Sequence, residues 1–289
     1  MVLNPNNKVL VTGATGFIGQ NLVPALLKKK YEVTVITRSL NRLKNFSWFG
    51  KVRFIQCDYH KDKFISKKKI PQNVIHLAWK GLPNYKSKFH LEENLVCNYF
   101  FLSRLIELGV KKIFVLGTCL EYGMLEGKIK SVSQTDPHTP YGLAKNLLRL
   151  LLLKEQDFFN FKLQWARLFY TYGNGQSSNS LISKLEKAIK EKHNEFNMSY
   201  GEQVRDYLHI DDVVQKILTI FSVEENFTVN ICSGKPITIK DFVIDYLKKR
   251  NKKIKLNFGY YDYNDYEPMK FWGENDINSD RMKFLKKYK

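Results

Sequence analysis

The feature that most constrains this chain is a glycine-rich turn near its beginning. Gly13, Gly16 and Gly19 follow the apolar stretch KVLVT and open a segment with helical periodicity. Glycines at this spacing permit a tight turn, bring backbone amides close to a pyrophosphate and let the helix pack tightly on the sheet. The N-terminal end of that helix then faces the phosphate charge. Because a strand and a helix flank the turn, we predict a dinucleotide-binding site formed by Gly13, Thr15, Gly16, Phe17, Ile18 and Gly19.

Beyond the turn, short β-branched runs alternate with longer helical patterns, which is typical of βαβ units around a parallel sheet. The patterns predict strands at 8–12, 32–37, 52–56, 73–77, 112–116 and 162–168, and helices at 17–30, 91–108, 142–155, 181–190, 213–221 and 239–250. The predicted fold class is α/β, a doubly wound parallel sheet of the Rossmann type with a smaller C-terminal lobe. We assign residues 1–170 to the dinucleotide-binding domain and residues 171–289 mainly to a substrate-binding lobe, partly interleaved with the sheet.

The composition supports a folded enzyme and argues against several other classes. A hydrophobic content of 44% over 289 residues is ample for a buried core. No stretch approaches the roughly 18 uncharged apolar residues of a membrane span, and no secretory signal is visible. The four cysteines are widely spaced with no CxxC pair, so no metal site is expected. We therefore expect a cytoplasmic protein with no membrane partner.

The net charge of +19 raises the question of nucleic-acid binding. The lysines are spread over the whole length, with small clusters at 28–30, 67–69 and 286–287, and no basic helix alternates with stacking aromatics. Solvated surface lysines are the simpler explanation, so no nucleic-acid partner is expected. A field of this sign does attract anionic small molecules such as nucleotides.

The end of the second predicted strand indicates which dinucleotide binds. NAD-specific sites usually place an acid about 20 residues beyond the glycines, to hold the ribose diol. Here Arg38 stands 19 residues beyond Gly19, and a guanidinium suits the 2′-phosphate of NADP(H). The alternative is an arginine that merely reaches into solvent at the sheet edge. Asp58, after the third strand, is placed either to contact the adenine or to shape the loop.

The strongest chemical signal is the pair Tyr141 and Lys145. Positions four apart lie on one face of a helix, so the phenol and the ammonium point into the same space. A nearby ammonium lowers the pKa of a tyrosine, which suits proton transfer near neutrality. Thr118 follows the strand KIFVL at the carboxyl edge of the sheet, where such folds bind ligands. These three side chains beside a nicotinamide could protonate a carbonyl oxygen while hydride reaches its carbon.

Together the motifs resemble the extended short-chain dehydrogenase/reductase family, the NAD(P)-dependent epimerases, dehydratases and reductases of nucleotide sugars. In family order they are GxxGxxG at 13–19, HLAW at 76–79, Asn94, GTCLEYG at 117–123, PYGLAK at 140–145 and RDYLHIDD at 205–212. The resemblance implies that Tyr141 is the catalytic acid/base, that Lys145 binds the nicotinamide ribose and lowers the tyrosine pKa, and that Thr118 orients the sugar carbonyl. It also implies cofactor contacts from Leu77 and Ala78 and a supporting role on the substrate side for Asn94.

The resemblance extends into the second lobe. Arg205 resembles the family arginine that holds the substrate diphosphate, and bidentate guanidinium–phosphate pairing gives the physical reason. The alternative is a structural ion pair between Arg205 and Asp206 or Asp212. Asp211 and Asp212 are predicted to cap the following helix, because carboxylates accept its free N–H groups. His209 is predicted to be a core histidine. Arg167 and Tyr170 open the stretch RLFYTYGNGQ, which resembles the family loop beside nicotinamide and sugar, without individual roles.

One departure from the family narrows the reaction. Nucleotide-sugar 4,6-dehydratases carry an Asp-Glu pair directly after the threonine, where this chain has Cys119 and Leu120, so dehydration is not expected. Arg38 favours a reductase using NADPH over an epimerase holding NAD. The similarity is greatest to enzymes that reduce 4-keto-6-deoxy sugars on CDP or dTDP, in deoxysugar and surface-polysaccharide synthesis; the alternative is an NAD-dependent sugar-nucleotide 4-epimerase. Related enzymes often form homodimers through two helices, here 91–108 and 143–153.

Overall fold

The computed structural model describes residues 7–61 and 70–278. Its strands are β1 Lys8–Thr12, β2 Glu32–Thr37, β3 Arg53–Gln56, β4 Asn73–His76, β5 Lys112–Thr118, β6 Gly127–Ile129, β7 Lys162–Leu168, β8 Tyr170–Tyr172, β9 Glu195–Asn197, β10 Val204–Arg205, β11 Tyr207–His209, β12 Phe227–Ile231, β13 Ile237–Thr238, β14 Lys255–Asn257 and β15 Phe271–Gly273. Its α-helices are α1 Phe17–Lys28, α2 Leu40–Leu43, α3 Val96–Glu107, α4 Pro140–Glu155, α5 Leu181–Lys190, α6 Ile210–Phe221 and α7 Ile239–Lys249.

Seven strands form one parallel sheet in the order β12-β7-β5-β4-β1-β2-β3. The order reverses between β1 and β4, because β2 and β3 lie on one side of β1 while β4, β5 and β7 follow on the other. Ligands of open α/β sheets bind at such a switch point, outside the carboxyl ends of the strands. The glycine turn that follows β1 lies at this point. The predicted α/β class with a doubly wound parallel sheet is confirmed.

Apolar side chains cover both faces of the sheet. On one face, Leu22 and Leu26 of α1 pack with Val213 and Ile217 of α6 against the sheet. On the other face, α3 and α4 contribute to a second cluster that includes Phe101, Leu105, Leu148 and Leu152. The strands at the centre are buried on both sides, which is why they read as continuous apolar runs in the sequence.

The later part of the chain has a smaller core of its own. Leu185 of α5 and Phe242, Val243 and Leu247 of α7 pack with Phe196 of β9. This lobe lies over the carboxyl end of the sheet, since its residues share a cavity with β5 and α4. Between the helices of this later region, β12 joins the main sheet next to β7. The sequence patterns did not predict β12.

Two element boundaries differ from the predicted ones. β5 continues two residues beyond the predicted end, to Thr118, because Gly117 and Thr118 still pair with β7. The helix predicted at 91–108 begins as a π-helical turn, His90–Leu95, before α3.

The lysines at 28–30 are exposed, as predicted, whereas the clusters at 67–69 and 286–287 lie outside the described residues. No helix within the described residues is long and apolar enough to cross a membrane.

Candidate active site

The glycine turn has the geometry that the spacing predicts. Gly13 adopts φ +69°, and a Cβ there would stand 2.8 Å from the Ala78 nitrogen. A Cβ on Gly19 would approach the Gly13 carbonyl oxygen to 2.2 Å, so α1 can pack on the turn only with glycine at this position. Gly16 precedes α1 and offers no side-chain cap, and the first turn of the helix carries no acid. The exposed N-terminal amides therefore favour an anion such as a pyrophosphate.

Two cavities that share part of their lining form a cleft at the carboxyl edge of the sheet. The first, about 570 Å³, runs from the glycine turn past Leu77 and Trp79 to Tyr141 and Lys145. The second, about 680 Å³, lies in the smaller lobe and is lined by Lys184 and Arg205 among others. Residues common to both cavities are Tyr85, Tyr170, Asn179, Leu181, Tyr207 and Glu267. A long ligand with two ends fits this arrangement.

The three residues predicted to act on a carbonyl come together at the first cavity. Thr118 is the last residue of β5, and its side chain lies close enough to Tyr141 to influence the pKa of the phenol. Tyr141 lies in the first turn of α4, where the hydroxyl of Thr139 caps the helix by accepting from the Gly142 amide at 3.0 Å. Lys145 follows one turn later and lines the same cavity.

The electrostatics of this group differ from the sequence-based prediction. Burial raises the pKa of Tyr141, Tyr85 adds to the effect, and the neighbouring Thr118 side chain opposes it. Burial lowers the pKa of Lys145 to about 7, with Glu121 opposing. The pKa of Tyr141 is therefore raised, not lowered as predicted, because burial has the larger effect. Lys145 Nζ donates to the Leu116 carbonyl at 2.8 Å and lies 4.1 Å from the centroid of the Trp79 ring.

A buried ion pair holds Thr118 from behind. Glu121 accepts from the Thr118 backbone nitrogen at 2.9 Å and from Arg167 Nε at 2.7 Å. Trp165 Nε1 donates to the same carboxylate at 3.0 Å. Arg167 also donates to the hydroxyl of Tyr122 at 3.0 Å. Arg167 therefore supports the end of β5 from within the protein and does not line the cleft. Tyr170, from the same sequence stretch, does line it.

A second buried network fixes the strand that faces the glycine turn. The hydroxyl of Thr12 accepts from the backbone nitrogens of Leu77 and Ala78, each at 3.2 Å, and contacts His76 Nδ1 at 2.9 Å. His76 Nε2 contacts Asn98 Oδ1 at 2.8 Å. Burial lowers the pKa of His76 to about 3, so the ring is neutral and can both accept and donate. Leu77 lines the first cavity, whereas Ala78 packs its backbone beneath Gly13.

The predicted selectivity residues, Arg38 and Asp58, follow β2 and β3 and line neither of the two cavities. Arg38 directly follows β2 and is exposed. Lys80 Nζ stands 3.5 Å from Asp58 Oδ1. Although burial opposes the effect, the His60 backbone N–H, Lys80 and Arg38 lower the pKa of Asp58. Arg38 and Asp58 are thus close enough to interact, on the side of the glycine turn where β2 and β3 end.

Several predicted residues have other partners than expected. Arg205 pairs with Glu267 at 3.2 Å and donates to the carbonyls of Val204, Pro268 and Met269, so the predicted alternatives of Asp206 or Asp212 as its partner are wrong. Asp206 instead accepts from the backbone nitrogens of Ser233 and Gly234. Asn94 is fully buried below the first cavity, donating to the Lys80 carbonyl and to His90.

The start of α6 also differs from the prediction. The side chain of His209 caps the helix by accepting from the Asp211 nitrogen, and it is 37% exposed rather than part of the core. Asp211 and Asp212 lie within the first turn, where their charge suits the helix dipole without capping it.

Sequence reasoning missed several residues that line the cleft. Tyr85, Tyr266 and Glu267 come from loops that no pattern connected with the site, and only the fold brings them beside Tyr170. Trp79 belongs to the HLAW motif, and an aromatic side chain just after the switch-point strand was a usable signal. His90, which lines neither cavity but contacts Trp79, was not singled out, because a lone histidine in a helical pattern carries no signal.

Comparisons with known proteins agree with the geometry. Residues 9–232 match the model of the NAD dependent epimerase/dehydratase family. The chain is 31% identical to dTDP-6-deoxy-L-talose 4-dehydrogenase (NAD(+)) of Aggregatibacter actinomycetemcomitans, over 92% of this chain and 98% of that protein. It is 28% identical to dTDP-4-dehydro-6-deoxyglucose reductase of Escherichia coli, over 87% and 84%. The structure of UDP-glucuronic acid 4-epimerase from Bacillus cereus in complex with NAD is similar with a TM-score of 0.77 and 25% identity, over 98% and 93%.

Proposed function

Because the chain belongs to the NAD dependent epimerase/dehydratase family, we propose that it reduces the 4-keto group of a nucleotide-linked 4-keto-6-deoxyhexose with NADPH. The observation that carries the proposal is the meeting of Thr118, Tyr141 and Lys145 at a cavity that begins at the glycine turn. The names of two relatives support the substrate class, since one is a 4-dehydrogenase of a dTDP-linked 6-deoxyhexose and the other a reductase of a dTDP-linked 4-keto-6-deoxyhexose.

The residues of the first cavity fit a nicotinamide dinucleotide. Gly13, Gly16 and the first amides of α1 would hold the pyrophosphate, and Leu77 would pack beside the rest of the cofactor. When bound, the reduced nicotinamide supplies the hydride for the carbonyl carbon. The pyrophosphate needs no side-chain charge from this chain, because backbone amides bind it.

Tyr141 is the proposed acid. Burial raises the pKa of Tyr141, so the phenol is protonated at neutral pH and can donate its proton to the carbonyl oxygen. The hydroxyl of Thr118 lines the same cavity as Tyr141 and is proposed to donate to the same oxygen. Lys145, as an ammonium, would favour the phenolate that remains after transfer. Thr118, Tyr141 and Lys145 are all buried, so a bound substrate and cofactor would leave little room for water around them.

The residues beside Thr118 argue against elimination of water. Cys119 is buried, and burial raises the pKa of its thiol well above the usual range, so the thiol stays neutral. Leu120 has no proton to exchange. Neither side chain can act as the carboxylic acid or carboxylate that a dehydration would need. Reduction or oxidation at the carbonyl is what the remaining groups can do.

The preference for NADPH rests on Arg38. Its exposed guanidinium stands at the end of β2, where the adenosine ribose of a dinucleotide is expected, and no acid takes the place that favours the 2′-hydroxyl. Asp58, whose carboxylate interacts with Arg38 and Lys80, is the proposed neighbour of the adenine.

The sugar nucleotide is proposed to occupy the second cavity. Arg205 lines it and is the proposed contact for the diphosphate, together with Lys184 on α5. Glu267 already pairs with Arg205, so the diphosphate must share the guanidinium with that carboxylate or displace it. Asn94, buried behind the first cavity, is proposed to support the substrate side through His90 rather than by direct contact.

We further propose a homodimer in the cytoplasm. Apolar side chains on two neighbouring helices are exposed, among them Val96 and Phe100 of α3 and Leu150 and Leu151 of α4. All four cysteines are free thiols, which suits a reducing compartment. Sedimentation should give twice the chain mass, and Phe100→Glu should restore the monomer, whereas Val132→Glu at an exposed site outside these helices should not.

The test is the absorbance of reduced nicotinamide. The protein is mixed with NADPH and a 4-keto-6-deoxy sugar generated from dTDP-glucose or CDP-glucose by a dehydratase. We expect stoichiometric loss of the band, faster with NADPH than with NADH, and loss of that preference in Arg38→Ala. A constant signal while the sugar changes configuration would make the protein a 4-epimerase. A constant signal with unchanged sugar would refute the proposed substrate.

A further inference from the structure

Trp79 contacts Tyr141 and Lys145, the two side chains on which the proposed proton transfer depends. It follows β4 by three residues and lines the first cavity together with Tyr141 and Lys145. Its indole is half-buried, with one contact to His90 and another to Lys145. No role for this side chain follows from the glycine turn or from the Thr118–Tyr141–Lys145 group alone.

The position of the indole is fixed from the side of the protein. Trp79 Nε1 donates to His90 Nδ1 at 3.1 Å, and the two rings lie nearly parallel at an interplanar angle of 24°. His90 Nε2 donates to the Asn84 carbonyl at 2.9 Å, while Asn94 Nδ2 donates to the same Nδ1 at 3.1 Å. This arrangement requires a neutral imidazole with its proton on Nε2. Burial lowers the pKa of His90, which is consistent with that form.

The indole in turn contacts both reactive side chains. Lys145 Nζ lies 4.1 Å from the ring, within the range of a cation–π interaction, and the Tyr141 ring meets the indole edge-on with centroids 5.9 Å apart. Within the described residues, Lys145 donates one hydrogen bond, to the Leu116 carbonyl. The π-face of Trp79 is therefore, with the Leu116 carbonyl, a direct contact of this buried ammonium.

We propose that Trp79 is a positioning residue: fixed by His90, its indole forms the surface that stabilises the Lys145 ammonium beside Tyr141. The inference rests on the proposed function, since it assigns Trp79 a part in the same proton transfer. It predicts that the protonation of Lys145, and not only its location, depends on the aromatic ring.

The other charges around Lys145 do not replace this contribution. Glu121, in the turn after β5, raises the lysine pKa from a distance but is itself paired with Arg167. His76 from β4 and His90 are both held neutral by burial, so neither adds a charge at neutral pH. Tyr141, on the same helix as Lys145, is a neutral phenol. Loss of the indole should therefore be felt directly in the titration of Lys145.

Three variants separate the ring from the hydrogen bond. Trp79→Leu removes the π-face, and Trp79→Phe keeps an aromatic face but removes the donor to His90. Trp272→Leu is the matched control, because Trp272 of β15 is also half-buried but does not line either cavity. The readout is the Cε resonance of Lys145 in the full chain carrying ¹³C-labelled lysine, identified by its absence from Lys145→Met.

The parent Lys145 should titrate near pH 7, where burial places its pKa. In Trp79→Leu we expect the midpoint about one pH unit lower, because the cation–π contact with the buried charge is lost. Trp79→Phe should stay within about half a unit of the parent, and Trp272→Leu should be unchanged. A Trp79→Leu midpoint equal to that of the parent would overturn the proposal.

The kinetic readout uses the pH dependence of NADPH oxidation. A one-unit lower lysine pKa should reduce the rate of Trp79→Leu about fivefold at pH 7, with recovery towards the parent rate below pH 6. An equal loss at every pH would mean that Trp79 acts only as packing. If the parent protein does not oxidise NADPH, the proposed function fails, while the lysine titration still decides the role of Trp79.

Discussion

Lys145 and Arg167 are buried cations near the carboxyl ends of β5 and β7, and they differ in the partners that contact their charges. Lys145 and Arg167 are each 2% exposed. Arg167 is paired with Glu121 at 2.7 Å, whereas the neighbours of Lys145 are a backbone carbonyl and the ring of Trp79. Burial by itself lowers the pKa of both, but Glu121 and Tyr122 raise that of Arg167, and only Lys145 is shifted to about 7.

The difference separates a structural charge from a reactive one. A paired guanidinium stays ionised at every physiological pH and fixes the end of β5 through Glu121. An ammonium without a contacting carboxylate stays responsive to its surroundings, which is what proton chemistry near neutrality needs. Equal burial therefore has different consequences, because the partner decides which ionisation state is stable.

The largest expected effect tests the reactive region. Tyr141→Phe removes the proton donor and should lower kcat between about 10²- and 10⁴-fold, a typical contribution of general acid catalysis. Stability and NADPH binding should hardly change, since only one hydroxyl is lost. Tyr31→Phe, at the opposite end of the sheet, is the control and should keep full activity. A Tyr141→Phe variant with near-parent kcat would remove Tyr141 from the mechanism.

The next effect tests the structural region. Arg167→Met leaves the Glu121 carboxylate buried without its partner and should destabilise the protein by about 3–5 kcal/mol. Denaturant unfolding measures this. Combining it with Glu121→Leu should recover part of the loss, because no unpaired charge then remains. If the double variant were as unstable as the single one, the ion pair would not be the reason for the loss.

The smallest expected effect is a change in the free energy of unfolding, and its sign is opposite to that for Arg167→Met. The pKa of Lys145 is about 7 in the folded protein and about 10.4 in an unfolded chain, so protonation favours the unfolded state as the pH falls between these values. The difference between these pKa values corresponds to about 4–5 kcal/mol, and loss of the hydrogen bond to the buried Leu116 carbonyl offsets about 1–2 kcal/mol of it. Lys145→Met should therefore stabilise the protein by roughly 3 kcal/mol at and below pH 7. The gain should shrink as the pH rises towards 10. Unfolding midpoints measured across this range test the sign.

Lys112 provides a matched control for that variant. It is also a buried lysine, but its ammonium pairs with Glu224 and donates to the Phe221 carbonyl at 3.0 Å. Lys112→Met should destabilise the protein at pH 7, unlike Lys145→Met. Destabilisation by both substitutions would show that the two buried lysines are held in the same way, against the comparison drawn above.

The sequence by itself determined the parallel sheet and the reactive end of the site. β1 and β2 begin and end where the β-branched runs do, because a parallel strand that is buried on both faces is largely apolar. The glycine turn and the Tyr141–Lys145 spacing are local features, and local spacing fixes which side chains share a face of a helix. Thr118 was also found, because a residue that follows a sheet strand lies at the ligand-binding edge.

Only the tertiary structure decided how charges are paired and what surrounds them. The partners of Arg205 and Arg167 lie 62 and 46 residues away, and no periodicity connects such positions. The same holds for β12, for Trp79 with His90, and for the tyrosines that line both cavities. The direction of the Tyr141 pKa was predicted wrongly, because spacing gives the neighbour but burial, a property of the whole fold, gives the larger effect.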